Sequence, residues 1–175
     1  MPHGTWTRGA ADRPDRRAAS VVRLFPDYAG SVLWLPNPVN AQPVNAQPVN
    51  AQPVNYSASG LDAALVTDLI RWEIAYYDAL DADFDWRSAA LASAFTADGV
   101  ALALRLAVQL GAGFDIEFAS YEAGVATRRF RSELPADNPR AAAVFTALTG
   151  PEPRPAPSLV RRPALSSALL SRSPR

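Results

Sequence analysis

A proline recurs at every fifth residue from Pro38 to Pro53, and that spacing closes off most regular structure across the segment. The pentad PVNAQ stands three times, at Pro38–Gln42, Pro43–Gln47 and Pro48–Gln52, and a partial PVN follows at Pro53–Asn55. The pyrrolidine ring fixes φ and removes the amide donor, which rules out a helix interior or a central strand. It also pushes each preceding glutamine toward extended backbone. One valine per pentad is too little apolar surface to offset ordering costs of about 1–2 kcal/mol per residue. Collagen fails for want of glycine, and a pentapeptide solenoid would need larger inward-facing residues. Identity between the copies points instead to a tandem duplication that the fold tolerates, since doubling a flexible loop costs only about 0.6 kcal/mol. A loop over residues 36–56 is therefore expected, with a functional linker or binding motif as the alternative. Removing fifteen residues would leave a connection of ordinary length.

On either side of the array the chain reads as a single α+β domain over residues 21–150. Residues 1–20 and 151–175 have the composition of disordered arginine-rich tails. The second tail carries six prolines in twenty-five residues, with one short apolar turn at Leu165, Leu169 and Leu170. Translation starting near Val21 or Val22 is an open alternative for the first. No apolar stretch there is long enough for a signal peptide. The most apolar run, Val100 to Leu110, falls short of the roughly 20 residues of a membrane span. A cytoplasmic location is the expectation, with no membrane partner.

The formal net charge of zero hides an uneven distribution. Residues 1–20 hold four Arg and two Asp, and residues 151–175 hold five Arg and one Glu. Residues 21–150 hold eight Arg against ten Asp and four Glu, a net charge of −6. An acidic domain of this kind repels nucleic acid, because phosphate contacts need clustered positive charge. All seventeen basic residues are arginine, as GC-rich coding favours.

Periodicity supplies the elements. Val21–Phe25 and Ser31–Leu35 read as strands around the turn Pro26-Asp27-Tyr28-Ala29-Gly30. Ser59 and Asp62 form a loose capping box ahead of a helix whose buried stripe is Leu61, Leu65, Leu69, Trp72, Tyr76 and Leu80. Ser88 caps a second helix with Leu91, Phe95, Leu102, Leu106 and Leu110 on one stripe, ending at Gly111 and Gly113. Gly99, in mid-helix, marks a close approach beneath Trp72, with a plain loose spot as the alternative. Phe114–Phe118 alternates apolar and acidic residues and predicts a strand. Val125–Arg131 can return beside it, so that Arg129 and Arg131 face Asp115 and Glu117. A last helix starts at Asp137 or Asn138 and runs through Leu148. The predicted fold class is α+β. Its order is β-β-α-α-β-β-α, with a small antiparallel or mixed sheet and a two-helix hairpin packed on one face.

The residue inventory excludes more chemistry than it offers. There is no cysteine and no lysine, and the one histidine is His3, in the first tail. Thiolate and imidazole catalysis, His-based zinc sites, Schiff bases and a phosphate-loop lysine are therefore missing from the domain. No cofactor is predicted and no catalytic residue is assigned. Asp81, Asp83 and Asp85 have a D-x-D-x-D spacing that could offer oxygens to a hard cation. Trp86 and Ala92, however, replace the glycine and glutamate of a calcium loop. The competing reading is a solvated interhelical loop. Trp34 and Trp86, in or near loops, are candidate interaction residues. Arg128, Arg129 and Arg131 are a candidate anion patch if they do not form a charge ladder.

The segments Val22-Arg23-Leu24-Phe25-Pro26-Asp27-Tyr28, Leu33-Trp34, Arg71-Trp72-Glu73, Trp86-Arg87-Ser88 and Phe114-Asp115-Ile116-Glu117 resemble a family of small uncharacterised proteins from GC-rich bacteria. The likeness covers about residues 21–120. It implies a compact domain without the array and transfers no activity. Two functional classes follow. The first is an acidic protein-interaction domain, immunity- or regulator-like, whose partner is a basic protein. The alternative is a small carboxylate-dependent metal-binding protein or enzyme built on the Asp81/Asp83/Asp85 loop. The inventory leans away from catalysis.

Overall fold

A computed structural model describes residues 19–36 and 51–150. Both tails and the first copies of the array lie outside the described residues, together with the expectations made for them. The order is β1 (Ser20–Leu24), β2 (Leu33–Pro36), β3 (Ala51–Pro53), α1 (Ala63–Asp78), α2 (Ala89–Leu110), β4 (Phe114–Phe118), β5 (Arg128–Phe130) and α3 (Pro139–Thr149). The strands form one mixed sheet in the order β3-β2-β1-β4-β5. β1 and β4 run parallel, with α1 and α2 on the crossover between them, and the other neighbours are antiparallel. The α+β class, the helix pair and the strand Phe114–Phe118 match the expected pattern, and the ends of the other three expected strands are displaced by one to three residues.

The added strand comes from the array. Ala51, Gln52 and Pro53 pair with Pro36, Leu35 and Trp34 at the edge of the sheet, where a proline's missing donor is tolerated. Val54 is buried, and its amide donates to the Leu33 carbonyl. Asn55 caps the short turn Tyr56–Ala58. Residues 51–55, the end of the third copy and the partial PVN, are thus part of the fold rather than of the loop expected over residues 36–56, and the rest of the array lies outside the described residues.

Strand alternation sends Val22, Leu24, Leu33, Leu35, Phe114, Ile116 and Phe118 to the helical side, all buried. There they meet Leu65, Leu69 and Trp72 of α1 and Phe95, Leu102 and Leu106 of α2. Each large side chain buried this way contributes about 1.5–3 kcal/mol. Gly99 is the close-approach point. A Cβ placed on it would lie 2.5 Å from Phe118 and 2.8 Å from Trp72. Three details differ from the stripes and cap expected. Leu91 is exposed with Ala92 buried in its place, and Tyr76 of the first stripe is only partly buried. The capping box does not form, because Gly60 turns the chain at φ 71° and Ser59 Oγ accepts from the Leu61 amide instead.

The Asp62 carboxylate leaves its own helix end to accept from Gln109 and Asn138, joining the start of α1, the end of α2 and the start of α3. Asn138 caps α3 with Pro139 in its first turn, and Ser88 caps α2. By length and composition, Ala89–Gly113 is apolar enough to cross a membrane, at mean hydropathy 1.5. The run from Val100 underestimated it because Ala89–Phe95 extend the apolar stretch. Its apolarity has a local cause: α2 packs against β4, α1 and α3.

Candidate functional site

Where β1 and β4 end, α1 also ends and α2 begins, so four chain segments deliver aromatic rings to one place. Trp72 lies deepest, stacked on Phe95 at 4.5 Å, with its indole N–H donating to the Phe95 carbonyl. Tyr76, one turn on, touches Tyr77, Trp86, Phe95 and Tyr121 at ring separations of 5.0–5.5 Å. The Trp86 indole donates to the Tyr121 carbonyl, and the Tyr121 hydroxyl donates to the Pro26 carbonyl. Tyr28, from the β1–β2 turn, packs against Tyr77 at 5.1 Å. The cluster grades from buried to wet: Trp72 is 4% exposed, whereas Tyr121 is 46% and Tyr28 76% exposed; Phe84, in the loop just ahead of Trp86, makes none of these ring contacts and is 68% exposed.

Carboxylates surround these rings. Asp27 accepts from the Tyr28 amide. Burial, reinforced by the charge of Asp27, pushes the Glu73 carboxyl above its ordinary range. Burial first, then Glu73 and its neighbours, pushes the Tyr77 hydroxyl up to about 12. Burial and the nearby Tyr76 do the same for Tyr121, also to about 12. Both phenols therefore stay protonated and able to donate at neutral pH.

The interhelical loop closes on itself. Leu80 bridges to Trp86, the Asp81 amide donates to the Asp85 carbonyl, and the Asp81 carboxylate accepts from the amides of Asp83 and Asp85. Phe84 tops this turn at φ 64°, a left-handed conformation costly to a bulky side chain. Asp81 is thus engaged with its own backbone. Among the described residues, no group of three or more acidic or histidine side chains could hold a metal ion.

The outer face of the sheet has a different character. Glu117 is held by Arg23 at 3.2 Å and by Arg129 at 2.7 Å. Arg131 grips both oxygens of Asp115. Those hydrogen bonds hold the Asp115 carboxyl below its ordinary range. This is the expected cross-strand ladder. Alternation splits the arginine trio, since Arg128 lies with Phe130, 5.0 Å from its ring centre, on the other face from Arg129 and Arg131. Trp34 stands opposite Arg23 in the register and stacks on Phe25 at 5.5 Å. It is only 7% exposed, and its indole N–H has no partner among the described residues. A groove of about 300 Å³ between α1 and α2 holds Asp68, which pairs with both Arg71 and Arg105, and Asp98, which pairs with no arginine among the described residues.

The structure thus brings Trp86, Asp81, Asp83 and Asp85 to one end, and places Trp34 and the three arginines elsewhere. Sequence reasoning missed Asp27, Tyr28, Glu73, Phe84 and Tyr121 as members of one surface. The available signal was the aromatic residue in the turn Pro26–Gly30 and a second in the acidic loop, where neither is needed for a core.

Residues 20–121 match the family model described as Serratia CdiI immunity protein-like. No curated protein matches the chain. The matched stretch runs from β1 to Tyr121 and contains every ring of the aromatic end, while β5 and α3 lie beyond it.

Proposed function

This chain belongs to the Serratia CdiI immunity protein-like family, and from that membership we propose that it is a binding protein that holds a partner toxin and keeps it inactive. We further propose that the partner is basic and is met in the cytoplasm. The family match is the observation that carries this reading. It is supported by a domain whose charge over residues 21–150 is −6 and which lacks histidine, cysteine and lysine. Such a composition suits charge-steered association better than proton transfer or nucleophilic attack. No observation favours the metal-binding or carboxylate-enzyme alternative.

Co-expression with a panel of bacterial toxins tests the proposal. The chain should restore growth against one of them and bind it as a stable complex whose association slows as salt rises. Growth restored against none of the panel, with the chain expressed and folded, counts against the reading. A complex formed at a rate independent of salt would remove the basic partner.

A further inference from the structure

We propose that the end of the domain built from Tyr28, Tyr77, Phe84 and Tyr121, rimmed by Asp27 and Glu73, is the surface that meets the toxin. What it receives is an arginine- and lysine-rich patch of that protein. The inference rests on the immunity-protein reading and specifies where the partner sits and by what chemistry.

Single exposed aromatic residues are ordinary on protein surfaces. Here Tyr28, Tyr77, Tyr76 and Tyr121 form one chain of ring contacts that rises from the core into solvent. Rings of this kind, anchored below and open above, are the residue types that dominate protein interfaces. Their surroundings specify the partner. Asp27, Glu73, Asp78, Asp83, Asp85 and Glu122 stand at this end, and among the described residues none of them is within ion-pair distance of an arginine. The one cation in the loop, Arg87, has no ion-pair partner among the described residues either. The ladder, by contrast, neutralises its own acids, and in the α1–α2 groove Asp68 is paired with Arg71 and Arg105, which leaves Asp98 alone there without an ion pair among the described residues. A guanidinium or ammonium group entering here finds ring faces and carboxylates together, an arrangement that attracts it through cation–π and charge-assisted contacts at once.

Phe84 adds an argument of its own. Glycine or asparagine would fit its left-handed backbone at little cost, yet a large apolar ring is held there in solvent. Such strain at an exposed position fits a side chain retained for contact rather than for folding.

The test has two arms. In the first, the complex with the toxin identified by growth rescue is measured for the unaltered chain and for Tyr28→Ala/Phe84→Ala and Phe84→Gly. Both positions are exposed, so the variants should fold. The double variant should bind at least about 30-fold more weakly, as hot-spot truncations do. Phe84→Gly should bind about tenfold more weakly while melting at the same or a higher temperature. Affinity within threefold of the unaltered chain for both would overturn the inference and leave the immunity reading intact. Failure of the unaltered chain to rescue growth would overturn the reading itself.

The second arm uses an oligo-arginine peptide and NMR. The amides around Asp27, Tyr28, Phe84 and Tyr121 should shift first as peptide is added. Shifts centred on Asp98, Glu133 or Asp137 instead would overturn the assignment of the cation-receiving surface.

Discussion

On the outer face of the sheet, Asp115 and Glu117 are gripped by arginines of the same chain, whereas around the tyrosine cluster Asp27, Glu73, Asp83 and Asp85 have no arginine partner among the described residues. The residue type is the same and the use is different. In the ladder, each carboxylate lies one strand away from an arginine in register, so its charge is balanced as the sheet forms. At the loop end the acids come from a turn, a helix face and an interhelical loop, segments in which Arg71 is taken by Asp68 and only Arg87 is left without an ion pair among the described residues. The repulsion between Asp27 and Glu73 is carried by the fold, and a cationic partner can relieve it. A local charge imbalance beside exposed rings is therefore more informative about function than the zero net charge of the whole chain.

The steepest way to break this contrast goes through the packing beneath the rings. Gly99→Ala would drive a methyl into Phe118 and Trp72, on which the aromatic end rests, at a cost of about 2–3 kcal/mol for an overpacked core. Thermal and urea unfolding should show the loss. Unchanged stability in the Gly99→Ala protein would mean that the helix can shift, and the rings would not be rigidly supported.

A charge swap separates the two populations directly. Glu117→Lys removes the partner of Arg23 and Arg129 and sets a like charge beside them, for a loss of about 1–2 kcal/mol. Asp83→Lys should change stability by no more than about 0.5 kcal/mol, because it breaks no ion pair. It should, however, weaken toxin binding. Equal destabilisation by the two swaps would erase the distinction between a structural and a waiting carboxylate.

The pH dependence should carry opposite signs. Asp115, held below its ordinary range by the hydrogen bonds of Arg131, contributes stability that is present at neutral pH and is lost as pH falls through its depressed value. Glu73, pushed above its ordinary value of 4.5 by burial and then by Asp27, loses stability as pH rises from that value through its raised one. Asp115→Asn should flatten the acid limb of the stability profile, and Glu73→Gln should stabilise the domain at neutral pH. Urea midpoints between about pH 3 and pH 7 read both effects. Lower stability of the Glu73→Gln variant at neutral pH would show that the carboxylate is already satisfied.

The smallest effect belongs to the array. Deleting residues 38–47 joins Asn37 to Pro48 and leaves four residues between β2 and β3, within the usual two to five of a hairpin loop. Stability should change by less than about 0.5 kcal/mol. Deleting residues 38–52 also removes Ala51 and Gln52, and with them two of the three β2–β3 pairs. A larger loss for that deletion would sharpen the boundary between insert and fold.

Much of the fold was legible along the chain because its signals are local. The alternation of Phe114–Phe118, the Ser88 and Asn138 caps and the terminating Gly111 each follow from sterics or hydrogen bonding within a few residues. Even the cross-strand ladder could be anticipated, since a hairpin fixes its own register. Three things needed the tertiary structure. Residues Ala51–Pro53 of the array became an edge strand because Trp34–Pro36 offered them a free edge. Trp34, which the sequence placed near the surface, was covered on the outer face of the sheet. Asp27, Glu73, Phe84 and Tyr121, drawn from segments up to 94 residues apart, met at one end because the parallel pairing of β1 with β4 and the turn between the helices carried them there. Composition determined that the domain would be acidic and without imidazole or thiol. Which carboxylates keep an unbalanced charge was decided by long-range geometry, because pairing depends on which arginines the folded chain brings within reach.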